Sequence, residues 1–190
     1  MALIHTIANL KQPFAEGYAR KAYYSRRYRV VIKRSKGTRT DHQTLHEIKL
    51  WRSMTDEEKT VFPLLNVVEY KGVAHLIMKR CKVVSDLLKR KNNYYGSGYS
   101  RDEVVDMFGL DKEAYAIFKK VVHKYDIGDL HYSNLGVDNK KRLVILDAGF
   151  RWNGPNGACY SHEYSGSGYD YGSYGDECNC TSCANRRVIS

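Results

Sequence analysis

The chain has 190 residues, 43% of them hydrophobic, enough for one sizeable core or two small lobes sharing a cleft. No apolar run approaches the roughly 20 residues that span a bilayer, and residues 1–17 carry neither a long apolar stretch nor a small-residue cleavage site. The expectation is a cytoplasmic protein with no membrane partner, and the net charge of +10, with basic runs at Arg26-Arg27, Lys33-Arg34 and Lys89-Arg90-Lys91, suits nucleotides, nucleic acid or acidic proteins.

Residues 14–34 read as strands, rich in Tyr and Val, with Ser25 and Arg26-Arg27 marking a turn. Thr40 or Asp41 then caps a helix in which Leu45, Ile48 and Trp51 fall at helical spacing. Thr55-Asp56-Glu57-Glu58 is a capping box, opening a helix too short to pass Pro63. Residues 64–81 read as two strands joined at Lys71-Gly72. Residues 1–80 are therefore expected to form a sheet carrying one main helix. Further on, "VVSDLLKRK" suggests a short helix and "NNYYGSGYS" a loop. Ser100-Arg101-Asp102-Glu103 is a second capping box, whose helix stops near Gly109. In "DKEAYAIFKKVVHKY", Ala114, Ile117, Phe118, Val121 and Val122 share one face of an amphipathic helix. Two short apolar runs, 135–137 and 143–146, are separated by Asp138-Asn139-Lys140-Lys141, a hairpin pattern.

If residues 135–146 form a hairpin, its ends lie side by side. Asn134 then comes near Asp147, and the loop carrying Asp129 comes near both. A carboxylate and an amide oxygen at neighbouring strand ends suit a hard cation such as Mg²⁺. A second carboxylate five residues before the Asn would face a hydroxyl nucleophile. Taken singly, Asp129 reads as a turn cap and Asp147 as a strand end; their joint spacing favours a site.

Asp129-Leu130-His131-Tyr132-Ser133-Asn134 resembles the catalytic loop D-L-x-x-x-N of the protein-kinase-like superfamily, and Asp147-Ala148-Gly149 resembles its D-F-G. "IGDLH" resembles the His-Gly-Asp-Leu-His loop of aminoglycoside phosphotransferases and small phage kinases more than the His-Arg-Asp form. The resemblance implies Asp129 as catalytic base and His131 where many kinases place a phosphate-contacting Lys. It implies Asn134 and Asp147 as Mg²⁺ ligands and ATP as cofactor. It also demands a strand Lys and a helix Glu upstream; Lys33, ending "RVVIK", and Glu47 occur in that order. Gly17-Tyr18-Ala19-Arg20-Lys21-Ala22 is similar to the phosphate-covering G-x-G-x-x-G, with Ala19 and Ala22 at the second and third glycines. Arg20 and Lys21 there would add charge toward the phosphates. Met78 to Cys81 fall at the adenine-contacting hinge. The implied fold is α+β and two-lobed: a small antiparallel-sheet N-lobe with one helix (residues 1–80) and a reduced, mainly helical C-lobe (81–152).

Residues 153–190 are low in aliphatics and rich in Gly, Ser and Tyr, the composition of a mobile segment. The activation segment and A-P-E motif of a full protein kinase have no counterpart after Gly149. Five cysteines, three of them close together, argue against a disulfide framework. Cys178, Cys180 and Cys183, with Cys159 or His162, would complete a four-ligand Zn²⁺ site; the alternative is a reduced cluster. The expected function is a small protein kinase, similar to phage-encoded kinases acting on host proteins in the host cytoplasm. The alternatives are a kinase-like protein that binds and inhibits a host factor, and a nucleic-acid binder resting on charge alone.

Overall fold

A computed structural model describes residues 2–17, 19–92 and 99–148. The tyrosine-rich stretch and the cysteines at 159, 178, 180 and 183 lie outside the described residues.

The described chain is a mixed α+β structure with two antiparallel sheets and five α-helices among these residues. After α1 (Ala2–Ala8), three strands follow: β1 (Ala15–Glu16), β2 (Arg20–Ser25) and β3 (Val30–Ser35). Helix α2 (His42–Ser53) comes next, then a 3₁₀ turn (Glu58–Val61), β4 (Leu64–Tyr70) and β5 (Val73–Lys79). The strand order is β1-β2-β3-β5-β4. The second sheet, ordered β6-β7-β8, joins β6 (Lys82–Val83) to the hairpin β7 (Leu135–Val137) and β8 (Leu143–Ile145). Between β6 and β7 run α3 (Val84–Asn92), α4 (Arg101–Met107) and α5 (Lys112–Lys124).

Local chemistry sets the boundaries. Asp41 caps α2, accepting from Thr44 N–H at 2.8 Å. Both capping boxes close reciprocally: Thr55 with Glu58, and Ser100 with Glu103. Gly109, at φ +56°, takes the left-handed conformation that ends α4, as glycine does without penalty. Gly136 on β7 is required for a different reason. A Cβ there would sit 2.8 Å from Leu146 Cδ2 and 3.0 Å from Cys81 Cβ, so only hydrogen fits at this close approach.

One main core joins both sheets and the helices, with Phe62, Leu76, Phe118, Val121, Leu135, Leu143 and Ile145 almost fully buried. A second cluster, Ile7, Tyr23, Val30, Ile32 and Ile77, packs with Leu3 and Leu10 of the N-terminal segment. On α2 the inward face differs from the expected stripe. Leu45 is 50% exposed, whereas Thr44, Glu47, Ile48 and Leu50 are buried. The helix turns a carboxylate inward because cations await it there.

His75 is 1% exposed on β5, and its Nδ1 donates to Val73 O at 2.9 Å. Burial holds its pKa below the usual 6.5, so the folded state resists protonation that the unfolded chain accepts. Below pH 6.5 the unfolded state therefore binds more protons, and stability is lost as the pH is lowered. The expected result is a midpoint that drops between pH 7.5 and 5.5 in the native chain and drops less in a His75→Phe variant. Equal slopes in thermal melts of the two would refute it.

Candidate active site

Four charged side chains from distant segments meet between β2, β3, α2 and the end of the β7–β8 hairpin. Arg20 opens β2, Lys33 lies in β3 opposite Ala22, Glu47 sits on α2, and Asp147 follows β8. Arg20 Nη1 lies 3.0 Å from Glu47 Oε2, and Arg20 Nη2 lies 2.6 Å from Asp147 Oδ1. Lys33 Nζ lies 3.8 Å from Glu47 Oε1 and 3.5 Å from Asp147 Oδ2, and it donates to Leu146 O at 2.5 Å. Gln43 Nε2 donates to Asp147 Oδ1 at 2.7 Å, and Ala148 N–H donates to Glu47 Oε1 at 3.2 Å.

Burial makes these contacts matter. Glu47 is fully buried and Arg20 is 6% exposed, so neither finds a substitute partner in water. Burial opposes the Arg20 charge, but Glu47 and then Asp147 outweigh it and raise its pKa. Burial also pushes the Glu47 carboxyl up, against the pull of Lys33 and Arg20. For Asp147 the balance reverses. Burial would raise it, but Lys33 and Arg20 hold it below the ordinary carboxylate range.

The hairpin sets Asn134 beside Asp147, because Asn134 O accepts from Leu146 N–H at 2.8 Å and from Asp147 N–H at 3.3 Å. Asn134 Nδ2 in turn donates to Asp129 O at 2.8 Å and to Asp129 Oδ2 at 3.1 Å. His131 Nε2 is 3.3 Å from Asp129 Oδ1, and Ser133 Oγ is 2.6 Å from His131 Nδ1. Asn134 Nδ2 also lies 3.2 Å from His131 Nε2, so a neutral imidazole accepts from the amide at Nε2 and donates from Nδ1 to the serine hydroxyl oxygen. Asp129 holds φ +54°, a left-handed backbone that a non-glycine residue adopts at a cost.

A cavity of about 1210 Å³ adjoins this cluster. Its lining includes Lys33, Asn134 and Asp147 on the charged side, with Val31, Met78 and Leu146 as apolar wall. Arg80 and Cys81, beyond the end of β5, also line it, and burial and then Asp138 push the Cys81 thiol up to about 11. Met78 is paired with both Val31 and Leu64, so its backbone is committed to the sheet; Lys79 N–H donates to Pro63 O. Gly17 and Ala19 form the β1–β2 turn, where Gly17 N–H donates to Arg20 O and Lys36 N–H to Ala19 O, each at 2.9 Å, and neither lines the cavity. Asp129 and His131 stand just outside its lining, while Ser133 and Asn134 belong to it.

The pattern Gly17 to Ala22 puts Arg20 in a phosphate-covering loop. It lies instead in a strand, and its side chain turns into the acid cluster. Nothing local marks this, since Glu47 and Asp147 are 27 and 127 residues away. Asp147 and the Asn134 amide offer oxygen ligands of the kind Mg²⁺ takes, and Asn134 spends its NH₂ on Asp129, which leaves its amide oxygen for a cation. Among the described residues no three Asp, Glu, His or Cys side chains converge as a ready metal cage.

Among the described residues no helix is long and apolar enough to cross a membrane. No family model matches the sequence. No curated protein matches it either. One solved structure with a similar backbone is "PpkA-294 apo form", at 16% sequence identity and a TM-score of 0.45; the match covers 74% of this chain and 57% of that one.

Proposed function

We propose that the protein is an ATP-dependent phosphotransferase of two-lobed, kinase-like build, moving the γ-phosphoryl group onto protein hydroxyls. The reading rests on one observation: Lys33, held by the buried Glu47, lines a large cavity together with Asp147 and Asn134, and Asp129 is bonded to that asparagine. Phosphoryl transfer asks little covalent chemistry of a protein; it asks for fixed charges and a positioned nucleophile. Lys33, held by Glu47 and Leu146 O, would meet the α- and β-phosphates. The adenine would lie along Met78 to Cys81. Asn134 and Asp147 would hold Mg²⁺, which neutralises phosphate charge when bound. Asp129 takes the proton of the acceptor hydroxyl, and the Asn134 amide keeps its carboxylate oriented through the 3.1 Å bond, with His131 beside it. A host-protein substrate in the host cytoplasm is part of this proposal.

One observation favours a second reading, a kinase-like protein that binds and inhibits its target without transfer. Arg20 and Gln43 already occupy Asp147 Oδ1. A γ-phosphate transfer assay on mixed host protein, native chain against Asp129→Ala, decides between them. Transfer that depends on Asp129 supports the kinase. Equal labelling from both chains, or none from either, overturns it.

A further inference from the structure

We infer that Arg20 is an internal latch on Asp147, which denies that carboxylate to a divalent cation until the guanidinium moves off. The inference rests on reading Asp147 as a cation ligand. Both carboxylate oxygens are already engaged. Oδ1 accepts from Arg20 at 2.6 Å and from Gln43 at 2.7 Å, and Oδ2 faces Lys33 at 3.5 Å. The charges also cancel: Arg20 and Lys33 stand against Glu47 and Asp147. A divalent cation arriving at Asp147 therefore meets no surplus negative charge, and it must displace a charge-assisted bond in a site largely shielded from water.

The latch has a natural release. A guanidinium pairs with phosphate oxygens in the same forked geometry that it uses on carboxylates. Phosphates entering beside Lys33 offer Arg20 a new acceptor while Nη1 keeps its contact with Glu47. Asp147 is then freed when the phosphates that will share the cation arrive. Cation and nucleotide thus bind together, each weak without the other. Because Asp147 keeps 26% of its surface exposed, a cation can reach it once the donors leave.

Mn²⁺ titrations read by electron paramagnetic resonance test this on the intact chain. Mn²⁺ alone should bind the native chain weakly. It should bind Arg20→Met roughly ten-fold tighter or better, as the loss of one charge-assisted competitor predicts. Gln43→Ala, which leaves the Arg20–Glu47 pair intact, should tighten binding by a smaller factor and decides the matter if Arg20→Met does not fold. ADP should tighten Mn²⁺ binding to the native chain more than to either variant. Unchanged Mn²⁺ affinity in both variants overturns the latch alone. Absence of Mn²⁺ binding in every chain, with or without ADP, overturns it together with the reading of Asp147 as a ligand. Tightening in the variants without any phosphoryl transfer by the native chain leaves the latch standing and removes the kinase.

Discussion

Replacing Arg20 with alanine lowers the unfolding midpoint by roughly 6–20 °C. The estimate follows from the cost of stripping one partner from a buried ion pair, about 3–5 kcal/mol, and from the response of a chain this size, about 2–4 °C per kcal/mol. Glu47 is fully buried, and after the substitution its one remaining cation among the described residues is Lys33 at 3.8 Å. Lys33 and the Ala148 N–H soften the loss, which favours the lower end. The pair as a whole contributes less than the single variant suggests, because burying both charges cost desolvation in the first place. Arg20→Met combined with Glu47→Leu should therefore melt well above Arg20→Ala. Thermal melts of these chains check both statements. An Arg20→Ala midpoint within a degree of the native value would show that the buried cluster does not hold α2 against β2 and β3.

The second large effect is chemical. Asp129→Ala should reduce phosphoryl transfer by roughly 10²–10⁴-fold, the usual contribution of a positioned general base. Nucleotide binding should survive, because Asp129 does not line the cavity, whereas Lys33, Asn134 and Asp147 do. The rise in unfolding midpoint on adding Mg²⁺-ATP measures that binding directly, since a ligand of the native state raises the midpoint. Transfer lost with the rise retained is the expected pair of results. If both disappear, Asp129 serves the binding site through Asn134 rather than the acceptor hydroxyl.

Much of the local architecture could be read from the sequence, because short-range rules dictate it. The cap at Asp41, the two capping boxes and the β7–β8 hairpin all depend on residues within a few positions of one another. The hairpin also accounts for the approach of Asn134 to Asp147, whereas the approach of Lys33 to Glu47 is implied by the family resemblance alone. Two features escaped. Helix α1 is only seven residues long, and it gains its place from packing Leu3 and Ile7 beside the sheet rather than from its own propensity. Arg20 and Leu45 exchanged the roles their polarity suggests, the cation buried and the leucine exposed. Hydrophobic spacing cannot anticipate that exchange, because the acids that draw Arg20 inward belong to other elements.

The left-handed backbone at Asp129 sets two selective pressures against each other. A glycine there would relieve a strain on the order of 1 kcal/mol and make the fold more robust, while erasing the carboxylate. The proposed base and the backbone that carries it thus pull in opposite directions at Asp129, and the Asn134 amide bonded to this carboxylate offsets part of the strain. Melting Asp129→Gly beside Asp129→Ala measures the size of that pull, with the glycine chain expected to be the more stable of the two.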